Sequence, residues 1–141
     1  MTKEELLKGT DLFLLDLDGT VYLSDTPIAG VKEALQGLRA MGKRLVYLTN
    51  NSSRTREEYV EKLTRLGLFG AEDDVYTSAH AAATYLGAHH AGEKAYVLAT
   101  DAVKEELRAQ GVRLTEESPD VCLLAYDTQL TFAKMKKFNE F

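Results

Sequence analysis

Short apolar runs alternate along the chain with longer stretches in which apolar side chains recur every three or four positions. The run Leu12-Phe13-Leu14-Leu15, followed by Asp16, lacks polar alternation and predicts a strand buried on both faces. A polar loop containing Ser24-Asp25-Thr26-Pro27 follows. Val31, Ala34, Leu35, Leu38 and Met41 then repeat at helical spacing, and Gly42 stops that helix. Leu45-Val46-Tyr47-Leu48 predicts a second strand ending at Thr49. Thr55-Arg56-Glu57-Glu58 has capping-box spacing and opens a helix whose face carries Tyr59, Val60, Leu63 and Leu66, with Gly67 at its end. A shorter capping box, Thr2-Lys3-Glu4-Glu5, starts a helix at the N-terminus. Strand, helix, strand, helix, with a crossover of this length, requires the two strands to be parallel.

The alternation continues in the second half. Residues 79–89 predict an alanine-rich helix, 95–99 a strand, and 103–110 a helix stopped by Gly111. Residues 121–125 predict a strand and 132–138 a last helix. The acidic stretch 73–78 and the change to an alanine composition after it place a domain boundary there. The fold class expected is α/β: a Rossmann-like parallel-sheet core over residues 1–77, then part of a second α/β domain over 78–141.

Composition adds limits. The chain has 141 residues, 45% hydrophobic and 28% charged, which are globular values. Seventeen Lys+Arg against 22 Asp+Glu leave a net charge of −5, which argues against a nucleic-acid partner. The apolar runs fall far short of the roughly 18 residues a membrane helix needs, so no membrane partner is expected. The polar, acidic N-terminus does not resemble a signal peptide, and a cytoplasmic setting is the expectation. The single cysteine, Cys122, sits in an apolar run and is expected to be buried.

Candidate chemistry lies at two strand ends. In parallel α/β sheets, ligands bind beyond the carboxyl ends of the strands. The first strand delivers Asp16-Leu17-Asp18-Gly19-Thr20 and the second Thr49-Asn50-Asn51-Ser52. Alternation puts the Asp16 and Asp18 carboxylates on one side of an extended backbone, and Gly19 permits a tight turn over them. Two close carboxylates repel, which separates their proton affinities or recruits a hard cation, Mg²⁺ first. One carboxylate can then act as nucleophile while the other handles a proton. Thr49 and Asn50 offer a hydroxyl and an amide ahead of a helix N-terminus, which favours a phosphate. Phosphoryl transfer needs these elements: in-line positioning, a metal, and donors around charged oxygens.

The segment Phe13-Leu14-Leu15-Asp16-Leu17-Asp18-Gly19-Thr20-Val21-Tyr22 resembles the first motif of the haloacid dehalogenase-like hydrolases, and residues 45–49 resemble the second. The fuller Leu48-Thr49-Asn50-Asn51-Ser52-Ser53-Arg54 is similar to the 4-nitrophenylphosphatase or NagD-like branch. Tyr76-Thr77-Ser78-Ala79, with Pro119-Asp120-Val121, Tyr126-Asp127 and Phe132 further on, resembles the start of that branch's α/β cap. The resemblance implies a Mg²⁺-dependent phosphatase acting on a small-molecule phosphate ester. Asp16 would be the nucleophile, forming an aspartyl-phosphate, and a metal ligand. Asp18 would be general acid and base, with its backbone carbonyl on the metal. Thr49 and Asn50 would hold the phosphoryl group, and Gly19 and Thr20 would shape an entrance flap. The family also uses a downstream lysine and acidic pair, which find no match in these 141 residues, so the sequence is read as stopping partway through the cap.

Other patterns lead elsewhere. Gly37 to Lys43 has P-loop spacing, but Arg44 stands where Ser or Thr would bind the metal, and a helix end explains it better. His89 and His90 point in different directions on a helix and read as surface residues. Asp101 and Asp127 read as helix caps or turn acids, and Asp73-Asp74 lies ahead of an apolar segment and not at its end. Two alternatives to the phosphatase stay open. One is a receiver-like signalling domain that accepts phosphate on a strand-end aspartate. The other is a non-catalytic fragment or binding module that assembles with another chain. A half-built sheet exposes a strand edge, so a homo-oligomer is expected under that last reading.

Overall fold

The computed structural model describes residues 2–141 as a mixed α/β chain. In chain order the elements are α1 (Lys3–Gly9), β1 (Leu12–Asp16), β2 (Tyr22–Leu23), β3 (Thr26–Pro27), α2 (Val31–Ala40), β4 (Arg44–Thr49) and α3 (Arg56–Arg65). Then come β5 (Asp74–Thr77), α4 (Ser78–His89), β6 (Lys94–Leu98), α5 (Asp101–Ala109), β7 (Arg113–Leu114), β8 (Val121–Leu124) and α6 (Phe132–Asn139). The chain divides into two compact units, residues 1–49 with 56–76 and residues 50–55 with 77–141. No helix among the described residues is long and apolar enough to cross a membrane.

The first unit carries the sheet β1-β4-β5. β1 and β4 run parallel, with Leu12 opposite Arg44 and Asp16 opposite Leu48. The crossover between them is α2, which starts after Gly30 and ends where Gly42, at φ +71°, turns the chain back. The Gly42 N–H donates to the Arg39 carbonyl and the Lys43 N–H to the Leu38 carbonyl, so the P-loop-spaced segment is a capped helix end. The N-terminal capping box is formed: the Glu5 carboxylate accepts from the Thr2 N–H at 2.7 Å, and the Thr2 hydroxyl accepts from the Glu5 N–H at 3.2 Å.

Leu17, Val21, Tyr22, Leu35, Leu45, Tyr47, Tyr59, Leu63 and Val75 make the core of this unit, with Phe13 and Leu15 packed against it. β1 is therefore not buried on both faces, contrary to what its continuous apolar run suggests. Its period of two puts Leu12 and Leu14 opposite Phe13 and Leu15, and they remain 43% and 58% exposed.

The Tyr47 hydroxyl donates to the Leu68 carbonyl at 2.6 Å. Arg39 donates to that carbonyl, to Tyr47 and to both oxygens of Asp73. Asp73 also accepts from the Gly70 N–H at 2.8 Å. Burial and the nearby Asp73 charge push the Tyr47 phenol far above its ordinary range, while Asp73 raises the Arg39 guanidinium. Asp73 is thus a structural acid, tying α2 to the approach of β5. Two short features escape the hydrophobic pattern. The polar loop at 24–27 is part of an antiparallel β2–β3 pair, Tyr22 opposite Pro27 and Leu23 opposite Thr26. Residues 74–77, read as part of an acidic loop, form β5, in which Val75 and Thr77 are buried and Asp74 and Tyr76 exposed.

The second unit carries the parallel sheet β7-β6-β8. Its core is a cluster in which Ala79 and Ala83 of α4 and Val103 and Leu107 of α5 pack with Ala95, Val97 and Ala99. Thr77, Thr100 and Thr131 cap α4, α5 and α6 through their hydroxyls. Cys122 is exposed, not buried. It alternates with Val121 and Leu123, which face the helices, and so lies on the same side of β8 as the exposed Leu124.

Candidate active site

The site is built at the carboxyl end of β1. Exposure alternates through the residues that follow: Asp16 and Asp18 are exposed, and Leu17 between them is fully buried in the core. Leu17 anchors the turn in a second way, because its carbonyl accepts from the N–H groups of Thr20, Val21 and Tyr22 at 3.2, 2.9 and 3.3 Å. Gly19 adopts φ +87°, a left-handed conformation costly for any residue with a Cβ, and its N–H donates to the Tyr22 carbonyl at 2.8 Å. The chain therefore reverses sharply over the acids. That reversal brings the Thr20 hydroxyl to Asp16, where it donates to Oδ2 at 3.2 Å.

Thr49 closes β4, one residue beyond Leu48, the partner of Asp16 across the parallel ladder. Asp16 and Thr49 thus stand at the carboxyl ends of adjacent parallel strands, the position where α/β sheets bind ligands. Thr49 is buried and Asn50 exposed. Asn50 begins a segment that groups with the second unit, where its carbonyl accepts from the Ser78 hydroxyl at 3.2 Å. The loop continues with Asn51, whose side-chain oxygen accepts from the Ser53 N–H and hydroxyl at 3.0 and 2.7 Å. Ser52 accepts from the Tyr126 N–H at 2.8 Å, and the Ser53 carbonyl accepts from the Thr100 hydroxyl at 3.1 Å. These bonds hold the loop to the carboxyl ends of β6 and β8.

A family model described as haloacid dehalogenase-like hydrolase matches residues 13–113. The chain belongs to that family. Among curated hydrolases of similar sequence, the glycerol-3-phosphate phosphatase of Rattus norvegicus is 44% identical over 124 residues, covering 82% of this chain and 39% of that protein. Among solved structures, the 4-nitrophenylphosphatase of Thermotoga maritima superposes with a TM-score of 0.87 at 36% identity, over 94% of this chain and 51% of that one. The glycerol phosphate phosphatase of Mycobacterium tuberculosis, solved in complex with magnesium, gives a TM-score of 0.83 at 30% identity, over 93% and 40%. The chain thus spans about half the length or less of these three relatives.

Within this family frame, the other candidates fall outside the strand-end constellation. Asp127 follows β8, yet its side chain is 0% exposed. Its Oδ2 accepts from the Lys134 ammonium at 2.8 Å, and its Oδ1 accepts from the Gln129 N–H at 2.7 Å. Asp101 opens α5 behind its Thr100 cap. His89 is exposed, and His90 Nδ1 lies 2.8 Å from Glu93. Among the described residues, no three His, Cys, Asp or Glu side chains converge as a metal cluster. Sequence reasoning overlooked two contacts, Thr20 on Asp16 and Lys134 on Asp127. Both are contacts made by a chain reversal, four and seven residues apart, which periodicity does not report.

Proposed function

We propose that this chain carries the nucleophile-bearing part of a phosphatase that hydrolyses small-molecule phosphomonoesters through Asp16. The observation that carries the reading is the exposed Asp16 carboxylate at the carboxyl end of β1, beside Thr49 at the end of the adjacent parallel strand. Support comes from relatives that are themselves named phosphatases, two of them for glycerol phosphates. A small polyol phosphate is therefore the substrate class proposed.

The Asp16 carboxylate attacks phosphorus as the bond to the leaving oxygen breaks, giving an aspartyl-phosphate. Asp18, protonated at this stage, gives its proton to the leaving alkoxide. Its carboxylate then takes a proton from water as the water oxygen attacks phosphorus, and the bond to Asp16 breaks. Thr49 and Asn50 hold the phosphoryl oxygens, and Gly19 and Thr20 form the turn at the entrance. The donor set here fits Mg²⁺: Asp16 and the Asp18 carbonyl are hard oxygen ligands, and this ion keeps several waters and uses only one or two carboxylates. When bound, Mg²⁺ neutralises charge on the phosphoryl oxygens.

Release of phosphate from 4-nitrophenyl phosphate and glycerol phosphate, with Mg²⁺ present, tests the proposal. Asp16→Asn is expected to lower the rate by about 10³-fold or more, since an amide cannot replace the nucleophile. Undiminished turnover in that variant would remove Asp16 from the mechanism.

A further inference from the structure

We propose that the second unit holds a binding site of its own, for a small neutral alcohol or phenol, in a cavity at the carboxyl end of β8. The sheet order β7-β6-β8 has the chain leave β6 toward β7 on one side and return to β8 on the other. That reversal makes the β6–β8 crevice the switch point of a parallel α/β sheet, where ligands bind outside the strand ends. The loop 50–55 fills part of the crevice. There the Ser53 carbonyl accepts from the Thr100 hydroxyl at 3.1 Å, and the Ser52 hydroxyl oxygen accepts from the Tyr126 N–H at 2.8 Å. Beside that loop a cavity of about 120 Å³ remains, walled by α4, α5 and β8 and lying wholly within this unit. Neither Asp16 nor Asp18 takes part in it, so the site is independent of the phosphatase reading.

The lining is graded from apolar to polar. Ala79, Val103 and Leu107, all buried, form the inner end, and half-buried Ala82 and Leu123 form the walls. Ala79 and Ala82 share a face of α4, three residues apart, and their small side chains leave the space that larger ones would fill. Among the described residues no ionisable side chain lines the cavity, so a charged group entering it would lose hydration without gaining a partner. A void of roughly 150 Å³ between apolar side chains accepts benzene, so this smaller one, open at one side, suits a ring or branched chain of about six carbons. At the outer end stand Ser52, Ser78 and the exposed Asn50. The Ser78 hydroxyl donates its hydrogen to the Asn50 carbonyl at 3.2 Å and keeps lone pairs with which to accept. The Ser52 oxygen accepts from Tyr126 and has its own hydrogen to donate. One donor and one acceptor are what a single ligand hydroxyl requires. A polyol lacks the apolar body that these walls would cover.

Titration of the 141-residue chain with phenol and cyclohexanol, followed by NMR of its methyl groups, tests this. Both should bind with a dissociation constant on the order of 1 mM and shift the methyls of Ala79, Ala82 and Val103 along one saturating curve. Benzene, which has the body without the hydroxyl, should bind about threefold to tenfold more weakly. Glycerol should shift none of these methyls. Ala82→Leu fills the cavity from a helical position that leucine suits, and Ala82→Met fills it with an unbranched side chain. Each should weaken phenol by about tenfold or more, read at Ala79 and Val103. Ser78→Ala should weaken phenol and leave benzene unchanged. Phenol shifts that never saturate, or that fall on exposed apolar residues such as Phe132 instead of Ala79 and Val103, overturn the site. Undiminished phenol binding in both Ala82 variants does the same. Equal binding of phenol and benzene, or glycerol shifts as large as those of phenol, overturns the ligand class. The ligand series is read on the parent chain, so it decides even if neither filled variant folds.

Discussion

Asp16 ends the apolar parallel strand β1 and Asp127 follows the apolar parallel strand β8 by three residues, and their surroundings give them opposite characters. Asp16 is exposed and accepts a hydroxyl bond from Thr20. Asp127 is sealed from solvent, with an ammonium on one oxygen and a backbone N–H on the other. A carboxylate so engaged has little capacity left for a substrate or a metal, and it holds the start of α6 to the end of β8. An aspartate beyond a strand is therefore a site only where the chain leaves an oxygen available. The turn after Asp16 does this by folding Leu17 inward and keeping the acids on either side of it outward.

The largest effect expected outside Asp16 itself comes from stripping Asp127 of its partner. Lys134→Met keeps much of the side-chain volume but leaves a buried charge uncompensated, at a cost of about 3 kcal/mol in urea unfolding. Loss of that size without any change in phosphate release would sharpen the contrast between a structural and a reactive acid. A variant as stable as the parent would erase it.

A smaller effect is expected at Tyr47, which with Arg39 holds a third acid, Asp73, in the interior. Tyr47→Phe removes the donor to the Leu68 carbonyl and should cost about 1–2 kcal/mol at neutral pH. The folded-state phenol is raised above its ordinary value of 10.0 by burial and by the charge of Asp73. Its contribution is accordingly complete below about pH 10 and declines as pH rises and the unfolded chain ionises. Urea unfolding of the parent should therefore weaken more steeply above pH 10 than that of Tyr47→Phe. Parallel slopes would contradict this placement of the phenol.

The sequence shows the parts of the fold that rest on strong periodicity or on a cap. β1, β4 and the amphipathic α2, α3 and α5 are visible from their apolar spacing, and α1 from Thr2 and Glu5. What it conceals has physical reasons. The apolar run of β1 reads as doubly buried because leucine on either face looks the same in a sequence, yet only Phe13 and Leu15 reach the core. Cys122 is misplaced for the same reason, one register position away from buried neighbours. The β2–β3 pair and β7 are two residues per strand, too short for any period to register, and β5 begins on an acid. At the site, the acids and Gly19 are readable because glycine and alternation carry geometry in their spacing. The Thr20 contact depends on the three-dimensional path of the turn, and the placement of residues 50–55 with the second unit depends on bonds to Ser78, Thr100 and Tyr126 distant in sequence.

Identifying the residue that becomes phosphorylated tests the role proposed for Asp16 most directly. The protein is incubated with 4-nitrophenyl phosphate and Mg²⁺, quenched in acid and reduced with borohydride, which converts an aspartyl-phosphate to homoserine; peptide mass spectrometry then reads the position. Conversion is expected at Asp16, with Asp18 and Asp127 unchanged. Conversion at a different residue, or continued turnover with Asp16 unmodified, would contradict that role.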